Sequence, residues 1–181
     1  MKNILIVIAI FIAAFSIFNY NSIQSSRVNV DTAWAQTENQ MQRRADLIPN
    51  LVNTTKGYAT HEKSLFTELA AARSKVNNAS TPIEKDQANA ELSSALSRLL
   101  MVIENYPTLK ADAHFKQLMD ELAGSENRIA VARRDYVQAV QQYNIKITTF
   151  PGVLFANMLG YNTMEQFKAD ESAKVVPKVE F

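Results

Sequence analysis

The residues of this chain that could do chemistry are few and far apart. The sequence has two histidines, His61 and His114, and no cysteine. Glu62 and Asp112 lie close to them in sequence, and these four side chains could bind a metal ion if the fold brought them together. Neither histidine belongs to an HxxxH or HExxH pattern, so the sequence favours exposed or helix-capping histidines, and we expect no metal site.

The carboxylates and hydroxyls do not indicate catalysis either. Adjacent acidic pairs occur at Asp120–Glu121 and Asp170–Glu171. Neighbours on a helix point about 100° apart, so the two carboxylates of a pair do not share one site. Ser93 and Ser94 have no histidine in a recognisable arrangement, and the sequence contains no glycine-rich phosphate loop. We therefore expect no catalytic residue, no cofactor, no metal ligand, and a protein that is not an enzyme.

Two dense groups of charge remain, namely Arg43–Arg44 with Asp46 and Arg133–Arg134 with Asp135. They could form a recognition surface for a phosphate or for a partner. Alternatively, they form ion pairs within and between helices and so fix the register of those helices. Because both signs of charge occur in each group, the sequence favours the structural interpretation.

The N-terminal segment indicates a membrane. Ile4–Phe18 reads ILIVIAIFIAAFSIF, without a charge and with Ser16 as its one polar residue. Extended to Tyr20, this stretch is about 25 Å long as a helix, which is enough for a thin bilayer. A cleaved signal peptide is the alternative, but no small-x-small cleavage site follows the stretch. We therefore predict a retained single-pass anchor over residues 1–21.

The charges beside this anchor give a weak indication of its orientation. Lys2 precedes the apolar stretch, and Arg27 is the only base among the first 20 residues after Tyr20. By the positive-inside rule, this arrangement slightly favours an N-terminus in the cytoplasm and a domain on the extracytoplasmic side.

The composition indicates a helical domain behind the anchor. Lys and Arg number 19 against 18 Asp and Glu, and a net charge of +1 gives no reason to expect a nucleic-acid partner. Four glycines and five prolines in 181 residues are few, which disfavours turn-rich β folds. Apolar residues recur at helical spacing in four stretches instead.

The first two stretches follow the anchor directly. The first predicted helix ends within Gly57–His61, and Pro49 lies inside it. Proline interrupts the hydrogen bonds of a helix, so we expect a kink there or a restart at Asp46. The second helix is predicted over about residues 61–76.

The third and fourth stretches complete the predicted bundle. The third helix begins at the capping signal Thr81-Pro82 and ends before Pro107. Its apolar face is predicted to carry Ile83, Ala90, Leu96, Leu99, Leu100 and Ile103. The fourth has a heptad seam from Phe115 to Phe150. We expect this seam to face the first helix and to bury Trp34, Met41, Leu118, Leu122, Ile129 and Tyr136.

The fold class predicted from these stretches is all-α, an antiparallel up-and-down bundle of four long helices with an N-terminal transmembrane helix. The bundle is predicted over residues 22–164, and an extended tail over residues 165–181. Four helices with short loops return the chain to the membrane side at its charge-free segment Phe150 to Tyr161. This segment could dip into the lipid interface with Phe155 and Leu159 on one face, or it could close the bundle as a hydrophobic lid.

Three stretches of the sequence resemble the LemA family. They are VDTAWAQTENQMQRRADLIPNLVNTTKGYATHEK from Val30 to Lys63, ENRIAVARRDYVQAVQQYNIKITTFP from Glu126 to Pro151, and the ending VPKVEF. They match in order and spacing, and an anchor precedes them as in that family. The resemblance implies a membrane-attached antiparallel helical bundle. It implies no activity and no catalytic residue.

The sequence therefore favours a scaffold or adaptor of the cell envelope over an enzyme. We expect it to contact the lipid bilayer, to form homo-oligomers through its long helical sides, and to bind other membrane proteins in addition. The alternative is an envelope sensor or enzyme with a ligand pocket between helices. A polar cavity with converging ionisable groups would favour the alternative, and a filled core would favour the scaffold.

Overall fold

A computed structural model describes residues 2–58 and 62–167, and this part of the chain is helical without strands. The helices are α1 (Lys2–Lys56), α2 (Lys63–Asn78), α3 (Pro82–Ile103), α4 (Pro107–Ala111), α5 (Ala113–Thr148) and α6 (Gly152–Leu159). The predicted all-α fold with a long apolar helix at the N-terminus is therefore confirmed. Most of the predicted tail, residues 168–181, lies outside the described residues.

The apolar anchor segment and the first helix of the domain form one unbroken helix. α1 has 55 residues and is therefore about 80 Å long. Its N-terminal third is long and apolar enough to cross a membrane and is not buried by the rest of the protein. No linker separates this segment from the domain, so the orientation of one determines the orientation of the other.

The predicted restart at Asp46 is wrong, because α1 continues through Pro49 to Lys56. Pro49 has no N–H and so cannot donate to the carbonyl of Ala45, four residues earlier. The side chain of Arg73 in α2 fills this position, since its Nε donates to the Ala45 carbonyl oxygen at 3.0 Å. A donor from a neighbouring helix thus replaces the missing backbone hydrogen bond, and the helix continues.

α5 lies along α1 in the opposite direction. Near the membrane-proximal end, Nζ of Lys146 donates to the Ser22 carbonyl at 3.1 Å. Further along, the ring of Trp34 meets that of Tyr136 edge-on, with centroids 5.5 Å apart. Positions that are early in α1 therefore pair with positions that are late in α5, as expected for an antiparallel pair.

α2 and α3 form an antiparallel hairpin against the C-terminal half of α1. The predicted start of α3 is confirmed, because Thr81 and Glu84 form a complete capping box and Pro82 is the first helical residue. The predicted apolar face of α3 is partly wrong, since Ile83 and Ala90 are exposed. Leu96, Leu99 and Ile103 are buried as predicted, and Leu100 is half-buried. The buried face also includes Lys85, Ala88, Asn89, Leu92 and Ala95.

The core has two parts. The membrane-distal part joins α1, α2, α3 and α5 and includes Leu51, Leu69, Leu92 and Leu122. The membrane-proximal part joins α1, α5 and α6 and includes Ile23, Val30, Tyr136, Val140 and Tyr143. The predicted seam is largely confirmed, because Met41, Leu122, Ile129 and Tyr136 are buried, whereas Trp34 and Leu118 are only half-buried. Its predicted end is wrong, since Phe150 lies beyond the end of α5 and is exposed.

Candidate functional site

A layer of buried polar side chains joins three helices in the middle of the domain. Arg44 of α1 is only 1% exposed, although it carries a positive charge. Its guanidinium contacts Glu126 of α5, donates to Oγ of Ser93 at 2.8 Å, and lies 3.4 Å from Oδ1 of Asn89. α1, α3 and α5 are thus connected through one side chain.

Burial affects the ionisation of Arg44 itself. Desolvation lowers the pKa of its guanidinium, and the nearby Glu126 carboxylate opposes that change. The Glu126 side chain is 52% exposed, so one partner of this pair remains in water while the other does not. The pair therefore fixes the position of Arg44 more than it stabilises the fold, because desolvation of a charge offsets much of the attraction.

Two further ion pairs flank this layer on α3. Lys85, which is buried, contacts Glu38 of α1 with Nζ and Oε1 2.5 Å apart. Asp86 contacts Arg133 of α5 at 3.0 Å. Burial raises the pKa of Asp86, and the Arg133 guanidinium counteracts this only in part. Arg133 also lies over the ring of Phe167, 5.3 Å from its centroid, so the segment after α6 reaches this layer.

In each of the two predicted charge groups, one arginine bridges two helices and the other is exposed. Arg44 and Arg133 bridge helices, whereas Arg43 and Arg134 are exposed. Arg134 also pairs within its own helix with Asp135, at 3.4 Å. The structural interpretation therefore fits Arg44, Arg133 and Arg134. The buried partners Lys85 and Asn89 were missed from the sequence, although polar residues at buried helical positions of an apolar face are a usable signal.

A groove opens beside Arg44 between α3 and α5. Its volume is about 320 Å³, and its walls are mostly apolar, with Arg44, Ser93 and Glu126 at its polar end. The apolar lining includes Leu96, Leu100, Met119 and Leu122. The groove is large enough for a small ligand, but the polar groups at its end are already bonded to one another.

The other candidate chemical residues do not converge. His114 is exposed, and His61 lies outside the described residues. Asp120 and Glu121 are exposed on α5, and Ser93 binds Arg44. Within residues 2–58 and 62–167, no three His, Asp or Glu side chains come close enough to hold a metal ion.

The second distinctive feature is the corner where α5 turns into α6. Gly152 is required there, because a Cβ at this position would lie 1.8 Å from the Lys146 carbonyl oxygen. Gly160 ends α6 with a φ of 73°, a left-handed conformation that favours glycine. The two glycines hold α6 as a short helix folded closely against the end of α5.

α6 packs against the upper part of the apolar segment of α1. The rings of Phe155 and Phe15 have centroids 6.1 Å apart, and Nε2 of Gln24 donates to the Tyr161 hydroxyl at 2.6 Å. Phe155 therefore faces α1, whereas the sequence placed it on the same outward face as Leu159.

Comparisons with known proteins identify relatives of the chain by sequence. The chain is 29% identical to magnetosome protein MamQ 1 of Paramagnetospirillum magneticum, over 92% of this chain and 70% of that protein. It is 24% identical to protein LemA of Metamycoplasma hominis, over 93% of this chain and 80% of that protein. Residues 33–181 match the LemA family as a whole. Because this match covers most of the sequence, the chain belongs to the LemA family.

Proposed function

We propose that this protein is a membrane-anchored helical scaffold of the cell envelope, without enzymatic activity, that assembles with itself or with other membrane proteins. The observation that carries the proposal is the continuity of α1 from the apolar segment into the domain. A rigid connection holds the sides of α1 and α5 at a fixed angle and height above the bilayer. A scaffold needs binding surfaces that are held in a fixed position relative to the membrane. An enzyme on a flexible tether does not need its helices held in this way.

Packing between the anchor and the domain supports retention of the anchor. Phe15 lies within the apolar segment, and its ring packs against Phe155 of α6. Cleavage after this segment would remove a contact of the folded domain. The similarity to the LemA family and to the magnetosome protein MamQ further supports a membrane-associated protein of the envelope.

The arrangement of the domain supports a bundle with four principal helices. α1 and α5 form the long antiparallel pair, and the α2–α3 hairpin completes the membrane-distal half. Among the residues that the structure describes, α1 and α5 carry exposed apolar side chains outside the hairpin, such as Val28 and Val131. We propose that lateral contacts through such side chains produce homo-oligomers.

Membrane attachment is tested with the full chain. Ile8 and Ile12 are exposed, so lysines at both positions should not disturb folding. Each lysine near the centre of a span costs about 2.5–3.5 kcal/mol of insertion free energy. Wild type should resist carbonate extraction, and Ile8→Lys with Ile12→Lys should be extracted. A matched pair, Asn21→Lys with Ser25→Lys, has the same spacing on exposed positions of the same helix and should remain in the pellet.

Assembly is tested in native membranes. The full-length protein should be extracted into native nanodiscs, and the mass of single particles should be measured. In a parallel sample, the chains should be crosslinked and then identified by mass spectrometry. Particles with two or more copies, or with another membrane protein in a constant ratio, support the scaffold. A single copy without partners in all particles would contradict it.

The groove beside Arg44 favours one alternative, a sensor that binds a small amphiphilic molecule between α3 and α5. Its apolar walls and charged end would suit such a ligand. The internal pairing of Arg44 with Glu126 and Ser93 weighs against it, because a ligand would have to break bonds that already exist. Ligand-dependent thermal stabilisation that is lost in Leu100→Trp would favour the sensor.

A further inference from the structure

A row of large apolar side chains is exposed on the outer side of the α5–α6 corner. Phe150 is 78% exposed, Leu154 59% and Met158 72%. These residues are spaced by four, and Leu154 and Met158 lie on one face of α6. The opposite face of α6 is covered, since Gly152 and Ala156 are buried against α1 and α5. We call Phe150, Leu154 and Met158 the outer stripe.

The position of α6 along α1 places the outer stripe beside the membrane anchor. The contact of Phe155 with Phe15 and the bond of Tyr161 to Gln24 hold α6 at the C-terminal end of the apolar segment. Phe11 and Phe18 of that segment are also exposed. The stripe and the anchor therefore form one continuous apolar surface on neighbouring helices.

Polar and aromatic groups mark the upper limit of this surface. Gln24 donates to both Tyr20 and Tyr161, at 3.2 and 2.6 Å, and Lys146 donates to the Ser22 carbonyl. Tyrosine and lysine are typical of the boundary between lipid and water. From Ile147 to Met164 the chain has no charge at all. The large exposed side chains of the outer stripe and of the anchor below this boundary are apolar and therefore compatible with lipid.

We propose that α6 is a second membrane-contacting element, whose outer stripe lies in the acyl region of the leaflet from which α1 emerges. This inference rests on the proposed anchoring of α1, because the anchor sets the height of α6. Lipid is favoured over a second copy as the occupant. Three side chains are far fewer than the roughly 20–30 residues per side that a specific protein interface uses.

Spin labelling of the full-length protein in phosphatidylcholine vesicles tests the inference. The chain has no cysteine, so each added cysteine carries the only label. Leu154→Cys and Met158→Cys report on the stripe. Phe11→Cys reports on the anchor, and Met101→Cys reports on an exposed position of the distal domain. Collisions of each label are measured with oxygen, which concentrates in lipid, and with a water-soluble nickel chelate.

The expected result is a nickel-to-oxygen collision ratio at positions 154 and 158 as low as that at position 11, and well below that at position 101. A high ratio at 154 and 158, together with a low ratio at 11, would overturn the lipid contact and leave the anchor intact. A high ratio at position 11 as well would overturn the anchor and with it this inference. Protection from both reagents, with dipolar broadening that vanishes on dilution with unlabelled protein, would show a second copy on the stripe and would also overturn it.

Discussion

The replacement of the hydrogen bond missing at Pro49 by Arg73 leads to a quantitative prediction. The Ala45 carbonyl belongs to a residue with no exposed surface, and its intrahelical donor is absent because residue 49 is proline. Arg73 therefore supplies a donor that a buried carbonyl needs. We expect Arg73→Met, which keeps most of the apolar stem, to destabilise the fold by about 1–3 kcal/mol, the cost of an unpaired buried polar group.

Arg73→Met should reduce the free energy of unfolding much less when residue 49 has a backbone N–H. In a Pro49→Ala background, the backbone can donate to the Ala45 carbonyl, as in any helix. Arg73→Met then removes only the exposed contact with Asp46 at 3.9 Å, which contributes about 0–1 kcal/mol. The double-mutant cycle should give a coupling energy of about 1–2 kcal/mol, and this value does not depend on the effect of Pro49→Ala alone.

The assay is urea unfolding of full-length wild type, the two single variants and the double variant in mild detergent. Unfolding is monitored by the circular dichroism signal of the helices. Lys75→Met is a matched control, because Lys75 is on the same helix and makes an exposed ion pair with Glu91. It should cost about 1 kcal/mol or less in both backgrounds. If Arg73→Met costs the same with proline and with alanine at position 49, to within about 0.5 kcal/mol, the proposed replacement is refuted.

Three further predictions concern the corner and the polar layer. Gly152→Ala should destabilise the protein by about 1–3 kcal/mol and increase amide hydrogen exchange in α6, because the added methyl group would clash with the Lys146 carbonyl. Unchanged amide exchange in α6 would contradict this. Glu126→Gln should lower the free energy of unfolding more than Arg44→Met does, since it leaves a buried charge without its counterion; the reverse order in urea melts would contradict this. Asp86→Asn should remove one source of the pH dependence of stability. Burial raises the folded-state pKa of the Asp86 carboxyl above 3.8, so the folded state binds the proton more tightly than the unfolded state. The free energy of unfolding of wild type, relative to that of the variant, should therefore increase as the pH falls from about 7 to about 4.5. A constant difference between the two urea-melting curves over that range would contradict it.

Local features of this fold follow directly from the sequence. The capping box at Thr81 and the seam of α5 depend on residues within a few turns of one another. The capping box is present as predicted, and the seam is present except at the half-buried Leu118 and the exposed Phe150. The all-α class follows from the same local patterns. The half-exposed Trp34 differs because its burial depends on how closely α5 and the segment near Phe167 approach it, which local spacing does not encode.

Several features that were wrong or missed depend on distant partners. A kink at Pro49 or a restart at Asp46 is the expectation for an isolated helix, whereas the donor that replaces the missing hydrogen bond comes from Arg73 on another helix. α6 has too few residues to give a periodic pattern, and the need for Gly152 arises only where it meets the backbone of α5. Likewise, Asn89 is a polar residue on the apolar face of α3, and the sequence does not show that its partner is Arg44 of α1.

The polar layer and the membrane-proximal corner are linked through the register of α1 and α5. Arg44 with Glu126 and Trp34 with Tyr136 fix this register at two heights. A slip of one turn would move α5 by about 5.4 Å relative to α1 and would leave Arg44 buried without its carboxylate. Because α6 follows α5 directly, the same slip would carry α6 away from Phe15. The Arg44–Glu126 pair and the Trp34–Tyr136 contact together therefore set the position of α6 relative to the anchor.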